Sequence, residues 1–141
     1  MDVAALILWI LTAGGGFVLL ATWLAKGGAR RDGPPSHFPK PLIFGHFLLA
    51  ATGLVLWIVY VASDSDGTGW VAFVILAVVA LLGFTMLARW IPVYRARTAE
   101  VTAGGPPPER HFPVPIVIGH GTLAATTLVL VLLALLDVGG S

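Results

Sequence analysis

The sequence predicts an all-α integral membrane protein, a four-helix bundle made of two tandem, parallel helical-hairpin repeats. Composition is the first observation: 57% of the 141 residues are hydrophobic and 11% are charged, whereas a soluble domain carries about 25% charged residues. The second observation is that the hydrophobic residues form four long runs. The third is that two segments of the chain match each other closely.

The four hydrophobic runs cover residues 3–25, 41–62, 70–91 and 114–136. Each is about as long as a helix needs to cross ~30 Å of hydrocarbon, and none contains an acidic residue. Helices are expected because lipid offers the backbone N–H and C=O groups no partners. The connections between the runs are too short for a soluble domain, so the predicted environment is the lipid bilayer.

Composition also excludes several kinds of site. The chain has no cysteine, which excludes disulfides, iron–sulfur clusters and thiolate chemistry. Its net charge of +1 gives no indication of nucleic-acid binding. Whether the protein is an enzyme is left open by the sequence.

All eight Lys and Arg residues lie at one end of the predicted bundle. They occupy the first and third connections and the adjoining helix ends, whereas the second connection (residues 63–69) carries only acidic charges. The positive-inside rule therefore makes loops 1 and 3 cytoplasmic. We expect a multi-pass protein of the cell (inner) membrane with both termini outside.

The segment 37–46 reappears as 111–120, with two histidines, two prolines and a glycine in register. The Leu-Ala-Ala-Thr of residues 49–52 then recurs at residues 123–126. Chance similarity between apolar helices would not reproduce this set of residues at the same spacing. The pattern indicates an internal duplication.

The helices that precede these segments also match, as residues 16–23 and 83–90. We therefore predict a first two-helix repeat at 1–66 and a second at 67–141. Both hairpins would cross the membrane in the same direction, which implies a pseudo-twofold axis along the membrane normal.

His46 and His120 are the ionisable residues that lie well inside the hydrophobic runs. Pro41 and Pro115 are expected in the first turns of helices 2 and 4, which puts each histidine roughly 7 Å from the cytoplasmic end. The repeat places both at equal depth, facing each other across the axis. Since haem iron accepts histidine as an axial ligand, we predict that His46 and His120 are the metal ligands of a bis-histidine haem b.

Two other interpretations of the histidine pair stay open. The imidazoles could be hydrogen-bonded between packed helices, or they could serve another metal, a quinone or a lipid. Small residues beside the histidines would leave room for a macrocycle, but they would also suit tight helix packing. They are Gly45, Ala50 and Gly53 in helix 2, and Gly119, Ala124 and Thr127 in helix 4.

His37 and His111 each begin a His-Phe-Pro-x-Pro segment. Because a residue before proline is pushed toward extended conformations, we expect this segment to lie along the cytoplasmic interface, with its phenylalanine as an anchor. A functional alternative places His37 and His111 in the cofactor site, where they would bind the haem propionates with nearby arginines. All four histidines could also hold one zinc or copper ion.

Two further features are assigned from position. Trp23 and Trp90 occupy matching helix ends, where indole rings are expected in the headgroup belt. The three glycines 14–16 of helix 1 are expected to allow close approach of another helix.

Four membrane helices with paired histidines resemble the b-type membrane cytochromes of the four-helix kind. The resemblance is one of architecture, with no motif matched residue by residue, and it implies electron transfer. This chain differs in having no histidine in its outward half. A single haem near the cytoplasmic side is therefore expected to exchange electrons with a membrane quinone or a partner protein.

The main alternative function is a non-catalytic accessory subunit or assembly factor of a larger membrane complex. A small chain with almost no soluble part favours it, and homo-oligomerisation stays open. A transporter is the weakest hypothesis, because no acidic residue lies in mid-membrane.

The first testable prediction concerns topology. Reporter fusions after Asp66 and after Ser141 should both report an external location, because every Lys and Arg lies at the other end of the bundle. A cytoplasmic signal from either fusion would contradict the predicted orientation.

Overall fold

The computed structural model describes residues 1–63, 65–96 and 105–138, and within these ranges the chain is all-helical. Its four long helices are α1 (Asp2–Ala25), α2 (Lys40–Ser63), α3 (Asp66–Arg95) and α4 (Val114–Leu135). A short 3-10 helix, Pro108–His111, precedes α4. All four long helices are long and apolar enough to cross a membrane, so the predicted fold class is confirmed.

The helix bounds agree with the four hydrophobic runs to within one residue, except in α3. That helix begins at Asp66, at the predicted repeat boundary, and continues to Arg95 although Pro92 lies inside it. Proline has no N–H to donate to the Ala88 carbonyl four residues earlier. The helix nevertheless continues for about one turn, and the Ala96 N–H donates to the Pro92 carbonyl at its end. Three charged residues of the predicted loops, Asp64, Arg97 and Glu100, are outside the described residues.

The four helices form two close pairs, α1 with α4 and α2 with α3. Contacts within each hairpin, α1 with α2 and α3 with α4, are much sparser. We call the boundary between the close pairs the seam. Each close pair joins one helix of each predicted repeat, and α2 and α4 lie diagonally across the bundle axis. The duplication itself stays a prediction, but it would relate the α1/α4 pair to the α3/α2 pair.

The interior contains two clusters of buried side chains. One lies toward the end where α1 begins and is built around Trp9, Trp57 and Tyr60. The other lies at the end that carries the Lys and Arg residues, which we call the basic end, and contains Trp23, Phe38, Ile43, Trp90 and Phe112.

The basic-end cluster corrects two expectations. Trp23 and Trp90 are 1% and 7% exposed, so they are core residues and the headgroup-belt assignment is wrong. Phe38 and Phe112 are also buried, with ring centroids 5.9 Å apart, so they pack against each other and do not anchor the interface. The extended His-Phe-Pro-x-Pro segments had suggested that both phenylalanines lie at the interface, but the rings are buried at the basic end of the bundle.

Large apolar side chains cover the outside of the bundle. Leu48, Leu81, Phe84 and Ile118 are each more than 60% exposed. Such a surface suits lipid and would aggregate in water. The fold is therefore compatible with a multi-pass membrane protein in a bilayer.

The pairing of α1 with α4 gives a cross-linking test. The Oγ atoms of Thr12 and Thr127 lie 3.4 Å apart, and the natural chain has no cysteine. The double variant Thr12→Cys, Thr127→Cys should form an intramolecular disulfide on mild oxidation, because the two hydroxyl oxygens that the sulfur atoms would replace are already in contact. The measurement is a mobility shift that a reductant reverses.

The matched control is Thr12→Cys with Thr126→Cys, since Thr126 is exposed on the outside of α4. Cross-linking of the control at the same rate as the test pair would mean that α1 does not pack on this face of α4.

A candidate paired-histidine site

His46 of α2 and His120 of α4 meet across the bundle axis, between the two core clusters. Their ring centroids are 6.4 Å apart and the ring planes are inclined at 64°. Both residues are partly buried. The structure therefore brings together the two histidines that the sequence analysis singled out.

Each imidazole is held by a main-chain carbonyl of the neighbouring helix in its own close pair. The Nδ1 atom of His46 lies 3.1 Å from the Val79 carbonyl oxygen of α3. The Nδ1 atom of His120 lies 2.9 Å from the Thr12 carbonyl oxygen of α1. A carbonyl can only accept, so Nδ1 donates in both cases and the unprotonated nitrogen of a neutral ring is Nε2.

Glycine makes these carbonyls accessible. Gly16 follows Thr12 by one helical turn, and Gly83 follows Val79 in the same way. A side chain at those positions would lean back over the preceding turn and cover the carbonyl. A Cβ atom at Gly16 would lie 3.1 Å from Cε1 of His120, and one at Gly83 would lie 3.4 Å from Cε1 of His46.

The same contacts explain two of the three consecutive glycines in α1. A Cβ atom at Gly15 would lie 3.3 Å from the Cβ atom of His120, whereas one at Gly14 would meet nothing within 4 Å. The predicted close approach to this part of α1 thus involves Gly15 and Gly16, and its partner is the histidine of α4. The rings reach carbonyls near the middle of α1 and α3, deeper than the sequence analysis expected.

The small residues predicted beside the histidines fall into two groups. Gly53 and Thr127 are buried in helix contacts: a Cβ atom at Gly53 would lie 3.1 Å from the Trp9 ring, and the Thr127 hydroxyl faces Thr12. The other four residues are partly exposed or have open space next to them. Ala50 and Ala124 are partly buried, and nothing lies within 4 Å of a Cβ atom built at Gly45 or Gly119. Their predicted roles beside a cofactor stay predictions.

His37 and His111 do not join the central pair. The Nδ1 atom of His37 is 2.9 Å from Oε1 of Glu109, and that of His111 is 3.3 Å from the Pro108 carbonyl oxygen. No group of three or more His, Cys, Asp or Glu side chains that could hold a metal ion occurs in the described part of the chain. The four-histidine zinc or copper site is therefore not formed.

Glu109 is a residue that the sequence analysis missed. It is 0% exposed, and its carboxylate accepts hydrogen bonds from Ser36 Oγ at 3.0 Å, from His37 Nδ1 and from the His37 main-chain N–H. The Trp23 indole donates to Ser36 Oγ, and the Trp90 indole donates to the Glu109 main-chain carbonyl. This network joins the first connection to the segment before α4.

One signal could have indicated that network. The indole N–H groups of Trp23 and Trp90 need acceptors once the rings are buried, and a glutamate in a connection rich in positive charge is a candidate. Arg89 of α3 also bonds the first connection, because its guanidinium donates to the His37 carbonyl oxygen at 3.1 Å.

Comparison of the chain with protein-family models, with curated proteins and with solved structures finds no match. The chemistry of the site is therefore inferred from its own residues.

The glycine contacts can be tested by substitution. Gly16→Leu should destabilise the protein by roughly 1–3 kcal/mol, because the added side chain must displace the His120 ring from its carbonyl. The measurement is the midpoint of thermal unfolding in detergent.

Gly14→Leu is the control on the same helix, since a side chain there meets open space. Replacing a helical glycine should leave the midpoint unchanged or raise it. Equal losses in the two variants would show that His120 does not occupy the space beside Gly16.

Proposed function

We propose that the protein is a membrane cytochrome of the b type, with one haem held between His46 and His120. The observation that carries this proposal is that two imidazoles on diagonal helices face each other with the Nδ1 atom of each bound to a carbonyl. Both Nε2 atoms are left as acceptors, and no hydrogen bond to either is found among the described residues.

The donor set fits an axially ligated iron. A metal-bound histidine usually donates its other ring N–H to a carbonyl or carboxylate, which sets the tautomer and raises ligand basicity. The ring centroids of His46 and His120 lie 6.4 Å apart, so these two side chains are near enough to hold one metal ion between them.

A flat group between the two histidines would have to lie in the seam. His46 belongs to the α2/α3 pair and His120 to the α1/α4 pair, so the two side chains approach from opposite sides of the seam. Contacts across the seam are sparser than those within either pair. The residues of each pair would hold and orient one imidazole.

Haem bound in this way supplies reversible one-electron chemistry. If His46 and His120 held the iron, they would leave no position on it for oxygen or carbon monoxide. The protein's own contribution is to fix the two rings and to exclude water from them. A single site of this kind, among helices apolar enough to span a bilayer, suits electron exchange with a membrane quinone or a partner subunit.

One observation favours the second candidate function, an accessory subunit or assembly factor without a cofactor. The Nδ1 atoms are already hydrogen-bonded, and the rings already pack against glycines of α1 and α3. The histidines could therefore serve as interhelical hydrogen-bond donors alone.

The test is a reduced-minus-oxidised spectrum of protein purified in detergent from haem-replete cells. We expect Soret and α bands of low-spin iron that carbon monoxide barely alters. His46→Ala and His120→Ala should each abolish or severely weaken haem binding, because one imidazole cannot hold both faces of the iron.

His37→Ala and His111→Ala are the matched controls and should retain haem, because these side chains lie in other contacts. Absence of both bands, together with absence of iron by metal analysis, would refute the cytochrome proposal. The accessory function would then account for the histidines.

A further inference from the structure

Four basic residues belong to the first connection, between α1 and α2. They are Lys26, Arg30, Arg31 and Lys40, and all four are exposed. Lys26 directly follows the last residue of α1, and Lys40 is the first residue of α2. We call these four side chains the cationic surface. In a bilayer spanned by the two helices, the cationic surface lies at the level of the lipid headgroups, because it marks the ends of both apolar segments.

The connection that carries this surface is folded tightly against the end of the bundle. Gly27 turns the chain with a φ of +87°, in the left-handed region that favours glycine. The Gly28 N–H then donates to the Trp23 carbonyl oxygen at 2.9 Å. Gly28 lies so close to the buried Trp23 indole that there is no room for a Cβ atom. The main chain of the turn is therefore packed on the core, and the basic side chains are left on the outside.

Further contacts hold the basic residues near one another. The Lys40 ammonium donates to the Ala29 carbonyl oxygen at 2.9 Å, which brings it next to Arg30 in the chain. The Arg30 main-chain N–H donates to the Gly27 carbonyl oxygen at 3.0 Å. A Cβ atom at Gly27 would lie 3.6 Å from Cδ of Arg30, and one at Gly33 would lie 3.2 Å from its Cβ. The turn thus holds the stem of Arg30, although the residue as a whole is exposed.

The protein supplies little negative charge to the cationic surface. Asp32 is the one acidic residue of the first connection. Among the described residues, no ion pair within 4 Å joins a carboxylate to any of the four basic side chains. Glu109, the buried carboxylate at this end, accepts from Ser36 and His37 instead. An anion from outside the chain can therefore approach the surface without displacing an internal ion pair.

The second hairpin lacks the two lysines. In the repeated sequence, Lys26 corresponds to Val93 and Lys40 to Val114. Val93 is buried, and Val114 packs against the basic-end cluster. Residues that extend the core in the second half are thus exposed cations in the first half. The positive charge at both helix ends is a property of the first connection and not of the repeat.

We propose that the cationic surface binds the phosphate of an anionic phospholipid such as phosphatidylglycerol. This inference does not depend on a haem. The guanidinium groups of Arg30 and Arg31 can form paired hydrogen bonds to phosphate oxygens, and the two lysines add positive charge at the helix ends. Leu24 of α1 and Phe44 of α2 are exposed close to the same ends. The acyl chains would lie against these apolar side chains, which a soluble phosphate would leave uncovered.

The experiment uses the full chain in dodecylmaltoside, titrated with phosphatidylglycerol or with phosphatidylcholine of the same acyl chains. Native mass spectrometry measures the fraction of protein that carries each lipid, and hence the Kd. The natural chain should bind phosphatidylglycerol the more tightly. Arg31→Gln should weaken that binding about fivefold, and the double variant Arg30→Gln, Arg31→Gln roughly 25-fold, as expected for loss of one and two charges near an anionic headgroup. Binding of phosphatidylcholine should not change.

Arg95→Gln is the matched control, because Arg95 is also an exposed arginine at the basic end but lies in the last turn of α3. This variant should bind both lipids as the natural chain does. Arg31→Lys keeps the charge and should keep most of the preference for phosphatidylglycerol. Equal losses in Arg31→Gln and Arg95→Gln would overturn the proposal, because the preference would then belong to the whole basic end. Equal Kd values for the two lipids in the natural chain would also overturn it.

Glycerol 1-phosphate distinguishes a lipid from a soluble phosphate as the occupant. It carries the phosphate without acyl chains, so at the same concentration it should not displace phosphatidylglycerol from the natural chain. Displacement would assign the cationic surface to a soluble phosphate and refute the lipid as its ligand.

Discussion

The hydrogen bond from each imidazole to a main-chain carbonyl is the interaction on which the rest of this bundle depends. An imidazole between apolar helices must donate its N–H, because lipid and hydrocarbon side chains offer no acceptor. A helix carbonyl can accept a second bond only where no side chain covers it, and that requirement places Gly16 and Gly83 one turn after Thr12 and Val79. Those glycines in turn bring α1 against α4 and α3 against α2.

Features encoded within one helix could be predicted, whereas features that depend on the choice of neighbour could not. The number of helices and the bounds of α1, α2 and α4 follow from the lengths of the hydrophobic runs and the positions of the prolines. The pairing of His46 with His120 follows from the repeated segment. The burial of Trp23 and Trp90 depends on acceptors supplied by Ser36 and Glu109, which lie in separate connections. No local pattern identifies such acceptors, so those indoles resembled ordinary interfacial anchors.

The two halves of the bundle agree at the histidines and differ around them. Glu109 occupies the place of Pro35 in the repeat, and Gly121 the place of Phe47. One half therefore carries the buried carboxylate, and the same half lacks an aromatic ring at the position of Gly121. The two halves thus share the histidine contacts and differ in the residues that surround them.

The pairing of α1 with α4 also has a consequence for biogenesis. The ribosome delivers α1 first and its closest neighbour last, so the first hairpin enters the bilayer with few contacts between its own helices. His46 can donate to the Val79 carbonyl only after α3 has been synthesised. The Thr12 carbonyl can accept from His120 only after α4 has been synthesised. The α2/α3 pair can therefore form before α4 is made, whereas the α1/α4 pair can form only after synthesis of the last helix, so α1 must stay in the bilayer by its own hydrophobicity until then.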